Sequence, residues 1–216
     1  MRSVRVYFKK TDRMKFVSHL DMNRVMTRVL NRSGIPFWYT EGFNPHPYIT
    51  FLLPLSLGFE SDYEIMEIRI VDDNFTDEMV KAALSEKCPE YIEVTEVFPA
   101  VNKAGKIAFA SYSVEFSEEK EGLEASLSDF LERDSIITEK KGKKGRISEI
   151  DLAPKIKEYS FYKDGNGLKL NLVLPAGGSD NVNPSLILKA YRSEFPLPYY
   201  KITRTCIYDA EMNKFR

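Results

Sequence analysis

Basic side chains are concentrated at the start of the sequence, and three of them are spaced to lie on one face of a helix. Residues 1–32 carry nine Lys and Arg against two Asp. Arg24, Arg28 and Arg32 recur every fourth residue, which places them in one stripe along an α-helix. Four further cations precede the stripe: Lys9, Lys10, Arg13 and Lys15. Such clusters bind nucleic acids by neutralising phosphates, so we expect a polyanion-binding surface here. A solvated helix face is the alternative.

The segment after this helix, GFNPHPYITF, combines two prolines and a histidine with several aromatic rings. Each proline fixes a φ angle and lowers the entropy that the loop loses on folding. We expect Gly42 to adopt a backbone conformation that other residues resist, which turns the next side chain outward. Aromatic rings hold unpaired RNA bases by stacking, worth about 1–3 kcal/mol per base. The predicted exposed stacking residues are Phe43, His46 and Tyr48. Phe37 and Tyr39 are expected in the core, and the alternative is that all of these rings close the end of a sheet.

A second basic segment, KKGKKGR, spans residues 140–146. Its five cations are Lys140, Lys141, Lys143, Lys144 and Arg146. One interpretation is a basic finger that follows a phosphate backbone. The other is the solvated tip of a flexible hairpin.

His19 and His46 are the two histidines of the sequence and its candidates for a catalytic general base. His19 lies inside the pattern Ser18 to Asp21, which resembles a capping box at a helix start. A role at the helix end is therefore favoured over catalysis for His19. We expect a binding protein more than an enzyme.

Composition is that of an ordinary globular protein, with 43% apolar and 29% charged residues. The longest apolar run is about 12 residues, broken by Pro54 and too short to span a bilayer. The N-terminus lacks the apolar stretch of a secretory signal. Cys88 and Cys206 are far apart and predict neither a disulfide framework nor a metal cluster. We therefore expect a cytoplasmic protein without metal, cofactor or membrane partner.

Hydrophobic periodicity predicts an α+β fold made of two ferredoxin-like (βαββαβ) domains in tandem, each an antiparallel sheet with helices on one face. The domains span residues 1–100 and 101–216, with residues 100–106 as the linker. The predicted elements of the first domain are a strand at 2–9, a helix from 18 to 34, strands at 49–57 and 64–71, a helix at 76–87 and a strand at 91–98. Those of the second are a strand at 107–116, a helix at 118–133, an interrupted strand at 136–151, strands at 156–162 and 168–174, a helix at 183–195 and a strand at 199–208.

Residues 15–64 carry a specific resemblance to a bacterial domain of uncharacterised function, the radical-SAM-associated domain. The pattern consists of Ser18-His19-Leu20-Asp21, Gly42-Phe43-Asn44-Pro45-His46-Pro47, Pro54-Leu55 with Gly58, and Glu64. Looser matches include the segment ITRT. This segment contains Arg204, which we add to the candidate nucleic-acid-binding residues. The resemblance implies a free-standing partner of a cobalamin-dependent radical SAM protein. Two cysteines do not supply the three-cysteine motif of an iron–sulfur cluster, so the cluster is expected on the partner.

The favoured function is an RNA-binding accessory protein that works with a radical SAM enzyme in RNA modification. A more distant resemblance, at the level of the fold, connects the chain to CRISPR repeat-processing endoribonucleases. It implies a metal-independent endoribonuclease that uses His19 or His46. The third interpretation is a protein–protein interaction module that docks through the basic helix and the acidic segment 33–100.

Overall fold

The structure is a computed structural model that describes residues 1–118, 120–141, 147–164, 167–178 and 180–216. The chain divides into two compact units. Unit 1 comprises Met1–Lys106 together with Lys214–Arg216, and unit 2 comprises Ile107–Asn213. The second unit is thus inserted in sequence between two pieces of the first.

Unit 1 has four strands and two helices: β1 (Arg2–Lys10), α1 (His19–Ser33), β2 (Ile49–Phe51), β3 (Glu60–Ile70), α2 (Asp77–Lys87) and β4 (Ile92–Pro99). The strands pair in the order β4-β1-β3-β2, and every pair is antiparallel. Strand β2 is much shorter than the predicted 49–57, because pairing with β3 continues only to Phe51 before Pro54 interrupts the segment.

The core of unit 1 lies between the sheet and the two helices. Val4, Val6 and Phe8 alternate along β1 and are fully buried against side chains of α1 and α2. The alternate residues of β1 therefore face the other side of the sheet. Val80 and Leu84 supply the buried face of α2, whereas Met79 is 47% exposed.

Unit 2 repeats this order with an additional hairpin. Its elements are β5 (Phe109–Phe116), α3 (Leu123–Leu131), β6 (Ile137–Lys141), β7 (Ile147–Asp151), β8 (Glu158–Asp164), β9 (Gly167–Pro175), α4 (Pro184–Glu194) and β10 (Tyr200–Tyr208). The main strands pair antiparallel in the order β10-β5-β9-β8, and β6 pairs with β7 alone. Helix α3 is shorter than predicted, because it starts only after Gly122, which has a positive φ of 78°.

The predicted α+β class is confirmed, with antiparallel sheets and four α-helices within the described residues. Among the residues that the structure describes, no helix has the length and apolar character of a membrane span.

Candidate nucleic-acid interface

Helix α1 begins and ends where local sequence signals predict. The Ser18 hydroxyl accepts a hydrogen bond from the Asp21 amide at 3.2 Å and donates to the Asp21 carboxylate at 2.7 Å. Gly34 ends the helix in the left-handed conformation, with φ of 71°. The Ser18 hydroxyl, and next the Arg24 guanidinium, hold the pKa of Asp21 below its ordinary value. The start of α1 is therefore a fixed, negatively charged cap.

The arginine stripe is exposed along α1, but its three members differ in their contacts. Arg24 forms an ion pair with Asp21 at 2.9 Å. Arg32 donates to the backbone oxygens of Arg28 and Lys87 at 3.2 and 3.4 Å, which orients its guanidinium without neutralising it. No carboxylate of the described residues pairs with Arg28 or Arg32. These two arginines therefore carry the available positive charge of the stripe.

The preceding cations are largely compensated, contrary to the expectation of an unpaired cluster. Lys9 pairs with Glu93 at 3.1 Å, and Lys15 pairs with Glu60 at 3.5 Å. Lys10 is only 3% exposed and donates to the Val17 carbonyl at 2.9 Å, so it does not face a ligand. Arg13 is exposed. Glu60 of β3 and Glu93 of β4 thus neutralise cations from which they are distant in sequence.

Residues 37–48 form a short two-stranded ribbon, which replaces the irregular loop that the sequence predicts. Trp38 accepts a backbone hydrogen bond from the Tyr48 amide at 3.1 Å, and Thr40 donates one to the His46 carbonyl at 2.8 Å. The Trp38 amide donates to the Arg69 carbonyl at 2.8 Å, which attaches the ribbon to β3. The 37–48 ribbon is therefore held by backbone pairing.

The tip of the 37–48 ribbon presents Phe43 to solvent. Its side chain is fully exposed. Gly42 has a φ of +129°, which confirms the expected special backbone conformation before this ring. Pro47 is buried near the base of the ribbon, so the tip extends from a packed support.

The 37–48 ribbon contacts neighbouring elements on both of its sides. On one side the Tyr39 hydroxyl donates to Asn31 of α1 at 3.1 Å, so the ribbon lies against the helix that carries the stripe. Tyr39 is 46% exposed, contrary to its predicted place in the core, while the partly buried Phe37 packs against that core. On the other side Arg69 lies over Trp38 and Tyr48, with its guanidinium carbon 5.2 and 4.2 Å from the ring centroids.

Sequence reasoning missed Arg69. The alternation of Met66, Ile68 and Ile70 places Arg69 on the opposite face of β3, and this signal is present in the sequence. Its contact with Tyr48 depends on the β2–β3 register, in which Ile49 lies opposite Ile68. That register is set by the long-range fold and not by a local motif.

The two histidines occupy different environments. His19 is the first residue of α1 and packs edge-on against Phe51, with 5.2 Å between ring centroids. His46 is exposed, and its Nδ1 lies 3.0 Å from the Asn44 carbonyl and 3.1 Å from the Thr40 hydroxyl. In the tautomer with the proton on Nδ1, that nitrogen donates to the Asn44 carbonyl and Nε2 is the acceptor; in the other tautomer, Nδ1 accepts from the Thr40 hydroxyl. Within the described residues no cluster of three His, Cys, Asp or Glu could bind a metal ion.

The remaining candidate contacts lie in unit 2. Lys140 and Lys141 belong to the end of β6, whereas Lys143, Lys144 and Arg146 fall outside the described residues. Arg204 on β10 is 1% exposed. A guanidinium buried to this extent does not reach a phosphate, so Arg204 is removed from the candidate contacts.

Comparisons with solved structures give similarities at 10% sequence identity. One, described as a crystal structure of a Cbf5-Nop10-Gar1 complex, matches with a TM-score of 0.49 and covers 94% of this chain. The chain spans about half of that structure's length, 48%. Another, an unknown protein from Galdieria sulphuraria, matches with a TM-score of 0.30 over 94% of this chain and 98% of that one. At these TM-scores neither similarity bears on function.

No curated protein matches the chain. A family model does match, over residues 3–184, which include α1, the 37–48 ribbon and most of unit 2. The chain therefore belongs to DUF2344, a family of uncharacterised proteins conserved in bacteria.

Proposed function

We propose that this chain binds RNA and presents it to a separate enzyme. One observation carries the proposal: a fully exposed Phe43 stands on a ribbon that is hydrogen-bonded to α1, where Arg28 and Arg32 are exposed. An exposed aromatic ring is a stacking surface for an unpaired base. Cations without acidic partners bind the phosphates of a nucleic-acid backbone. Neither feature contributes to a hydrophobic core.

The proposed partner is a cobalamin-dependent radical SAM protein that modifies RNA, as the resemblance of residues 15–64 implies. Parts of that motif meet at the start of α1, because the Gly58 amide donates to the Lys15 carbonyl at 2.8 Å. Phe16, Leu20 and Leu57 are between 63% and 72% exposed in this region. Exposed apolar side chains of this size favour a protein contact. We assign the partner to this end of α1 and the RNA to the other.

We also propose that each of the two units has a ferredoxin-like fold. In unit 1 the first strand pairs with the third and fourth, and the second pairs with the third. With the separate β6–β7 hairpin left out, β5, β8, β9 and β10 of unit 2 pair in the same way. All of these pairs are antiparallel. This support comes from strand order alone and implies no activity.

An RNA-binding experiment with charge-reversal variants tests the proposal. We expect Arg28→Glu with Arg32→Glu to weaken binding of structured RNA in filter assays and to lower the slope of affinity against salt. The matched control is Lys81→Glu with Lys189→Glu, which makes the same charge change on exposed positions of α2 and α4. Equal losses in both pairs, or no loss in either, would contradict an interface on α1.

The second candidate function is a metal-independent endoribonuclease, and the orientation of His46 favours it. In the tautomer whose Nδ1 donates to the Asn44 carbonyl, Nε2 is the acceptor that would serve as the general base for a ribose 2′-hydroxyl. Incubation of the protein with cellular RNA and chelator tests this function. Fragments that disappear in His46→Ala would establish the nuclease and replace the non-catalytic proposal.

A further inference from the structure

A cleft of about 390 Å³ lies on the face of the unit 1 sheet opposite α1 and α2. The residues that line it include Arg5, Tyr48, Thr50, Glu67, Asn102 and Lys103. Arg5 alternates with the core residues Val4 and Val6, which places the cleft on the other side of β1. The volume is at the lower end of the roughly 300–1,000 Å³ of small-molecule sites. It suits one small ligand and not an extended chain.

The cleft contains an ion pair between the buried Arg5 and the partly buried Glu67, and Arg5 is held by several contacts. Arg5 donates through Nε to Glu67 at 3.3 Å and through Nη2 to the Asn102 carbonyl. The Phe215 ring centroid lies 5.0 Å from the guanidinium carbon. Arg5 Nη1 is buried without a hydrogen-bond partner among the described residues. A buried N–H of this kind is costly unless a ligand or water satisfies it.

Beside the cleft, a second cation, Arg69, lies on an aromatic surface that includes the cleft residue Tyr48. Tyr48 lines the cleft, and Arg69 lies over its ring and over Trp38. A guanidinium held over aromatic rings keeps its positive charge and can still donate N–H groups to an anion. No carboxylate of the described residues pairs with Arg69. Lys103 is exposed at the cleft and adds positive charge.

These groups define the ligand by its chemistry. The cations require that the ligand carry an anionic group. The aromatic rings favour a ligand with a flat ring, and the Glu67 carboxylate accepts a hydrogen bond from an N–H donor of the ligand. We propose that the cleft binds one nucleotide, with the phosphate at Arg69 and Lys103 and the base between Tyr48 and Glu67. The exocyclic amino group of a base satisfies Glu67, whereas the N3–H of uracil lies between two carbonyl oxygens that repel the carboxylate.

This inference rests on the proposed function in one respect only, namely that the bound nucleotide is part of an RNA chain. Trp38 and Tyr48 belong to the 37–48 ribbon, whose tip carries Phe43, so an RNA strand held at the tip can reach the cleft. A free mononucleotide has the same recognition chemistry. The two sources are separated by experiment.

Fluorescence of Trp38 tests the proposal directly, because it is the single tryptophan of the sequence and lies against Arg69. We expect AMP and CMP to change its emission with saturation at millimolar concentration or below, and UMP and adenosine to bind at least about tenfold more weakly. Arg69→Gln and Lys103→Gln are each expected to weaken AMP binding several-fold. The matched control Lys81→Gln is expected to leave it unchanged.

A second arm uses short single-stranded RNA. If RNA binds and its affinity falls in Arg69→Gln, the nucleotide comes from RNA. If AMP binds and RNA does not, the cleft holds a free nucleotide, and the proposed function fails while this inference stands. If RNA binds but no mononucleotide saturates and Lys103→Gln and Arg69→Gln change nothing, this inference is overturned and the proposed function is not.

Discussion

Tyr39 of the 37–48 ribbon donates a hydrogen bond to Asn31 of α1 across 3.1 Å. Asn31 lies between Arg28 and Arg32 in sequence, so the contact holds the ribbon beside the two available cations of the stripe. On its other side the ribbon is held by Trp38, whose amide donates to the Arg69 carbonyl at 2.8 Å. Fixed on both sides, the ribbon positions its tip before any ligand arrives, which lowers the entropy cost of binding.

Replacement of Phe43 separates affinity from stability. We expect Phe43→Ala to weaken RNA binding by about 1–3 kcal/mol, the range for a stacked base. The free energy of unfolding should change by less than about 0.5 kcal/mol, because the ring is fully exposed. Phe8→Ala is the control for a core ring and should cost about 3–5 kcal/mol of stability. A large loss of melting temperature in Phe43→Ala with unchanged RNA affinity would show that the ring is only structural.

Gly42 tests whether the rigid ribbon tip matters. Its φ of +129° lies in a region that residues with a Cβ rarely adopt. We expect Gly42→Ala to lower the free energy of unfolding by about 1–3 kcal/mol or to rearrange the tip and lower RNA affinity. Gly105→Ala is the control, since its backbone needs no positive φ and its Cβ position is open. Equal, negligible effects of the two substitutions would contradict a strained tip.

The cap of α1 makes part of the stability depend on pH. The pKa of Asp21 is lowered in the folded state by the Ser18 hydroxyl and the Arg24 guanidinium. The ionised carboxylate therefore stabilises the fold above the unfolded pKa of about 3.9, and this contribution is lost as the pH falls through the lower folded value. Urea unfolding should show that Asp21→Asn is less stable than wild type at pH 7 and that the difference shrinks at acidic pH. A difference that is constant between these pH values would contradict the cap interaction.

Burial makes Cys88 a slow nucleophile. Desolvation raises the pKa of its thiol from the ordinary 9.0 to about 11, which lowers the thiolate fraction about 100-fold at neutral pH. In a Cys206→Ser background, alkylation by iodoacetamide at pH 8 should therefore be about 100-fold slower than for the same chain in urea. Similar rates for the folded and unfolded chains would show that Cys88 is accessible and ionises normally.

Local sequence signals predicted helix α1. Long-range contacts determine which cations on and beside this helix remain exposed and unpaired. Ser18 and Gly34 specify the two ends of the helix through capping, which depends on neighbouring residues only. The neutralisation of Lys15 comes from Glu60, 45 residues away in sequence, and could not be read from charge spacing. The same reason explains Lys10 and Arg204, whose burial depends on strand pairing. Phe43 was predictable because Gly42 allows the unusual backbone conformation before it and Pro45 restricts the backbone after it.

The return of residues 214–216 to unit 1 has a consequence for synthesis of the protein. Phe215 is 1% exposed, its ring lies against Arg5, and its carbonyl accepts from the Tyr63 hydroxyl at 2.9 Å. These partners on β1 and β3 leave the ribosome long before Phe215 does. Unit 1 therefore cannot complete its packing during translation until all of unit 2 has been made. A fragment that ends at residue 106 would keep the strands of unit 1 and lack this final closure.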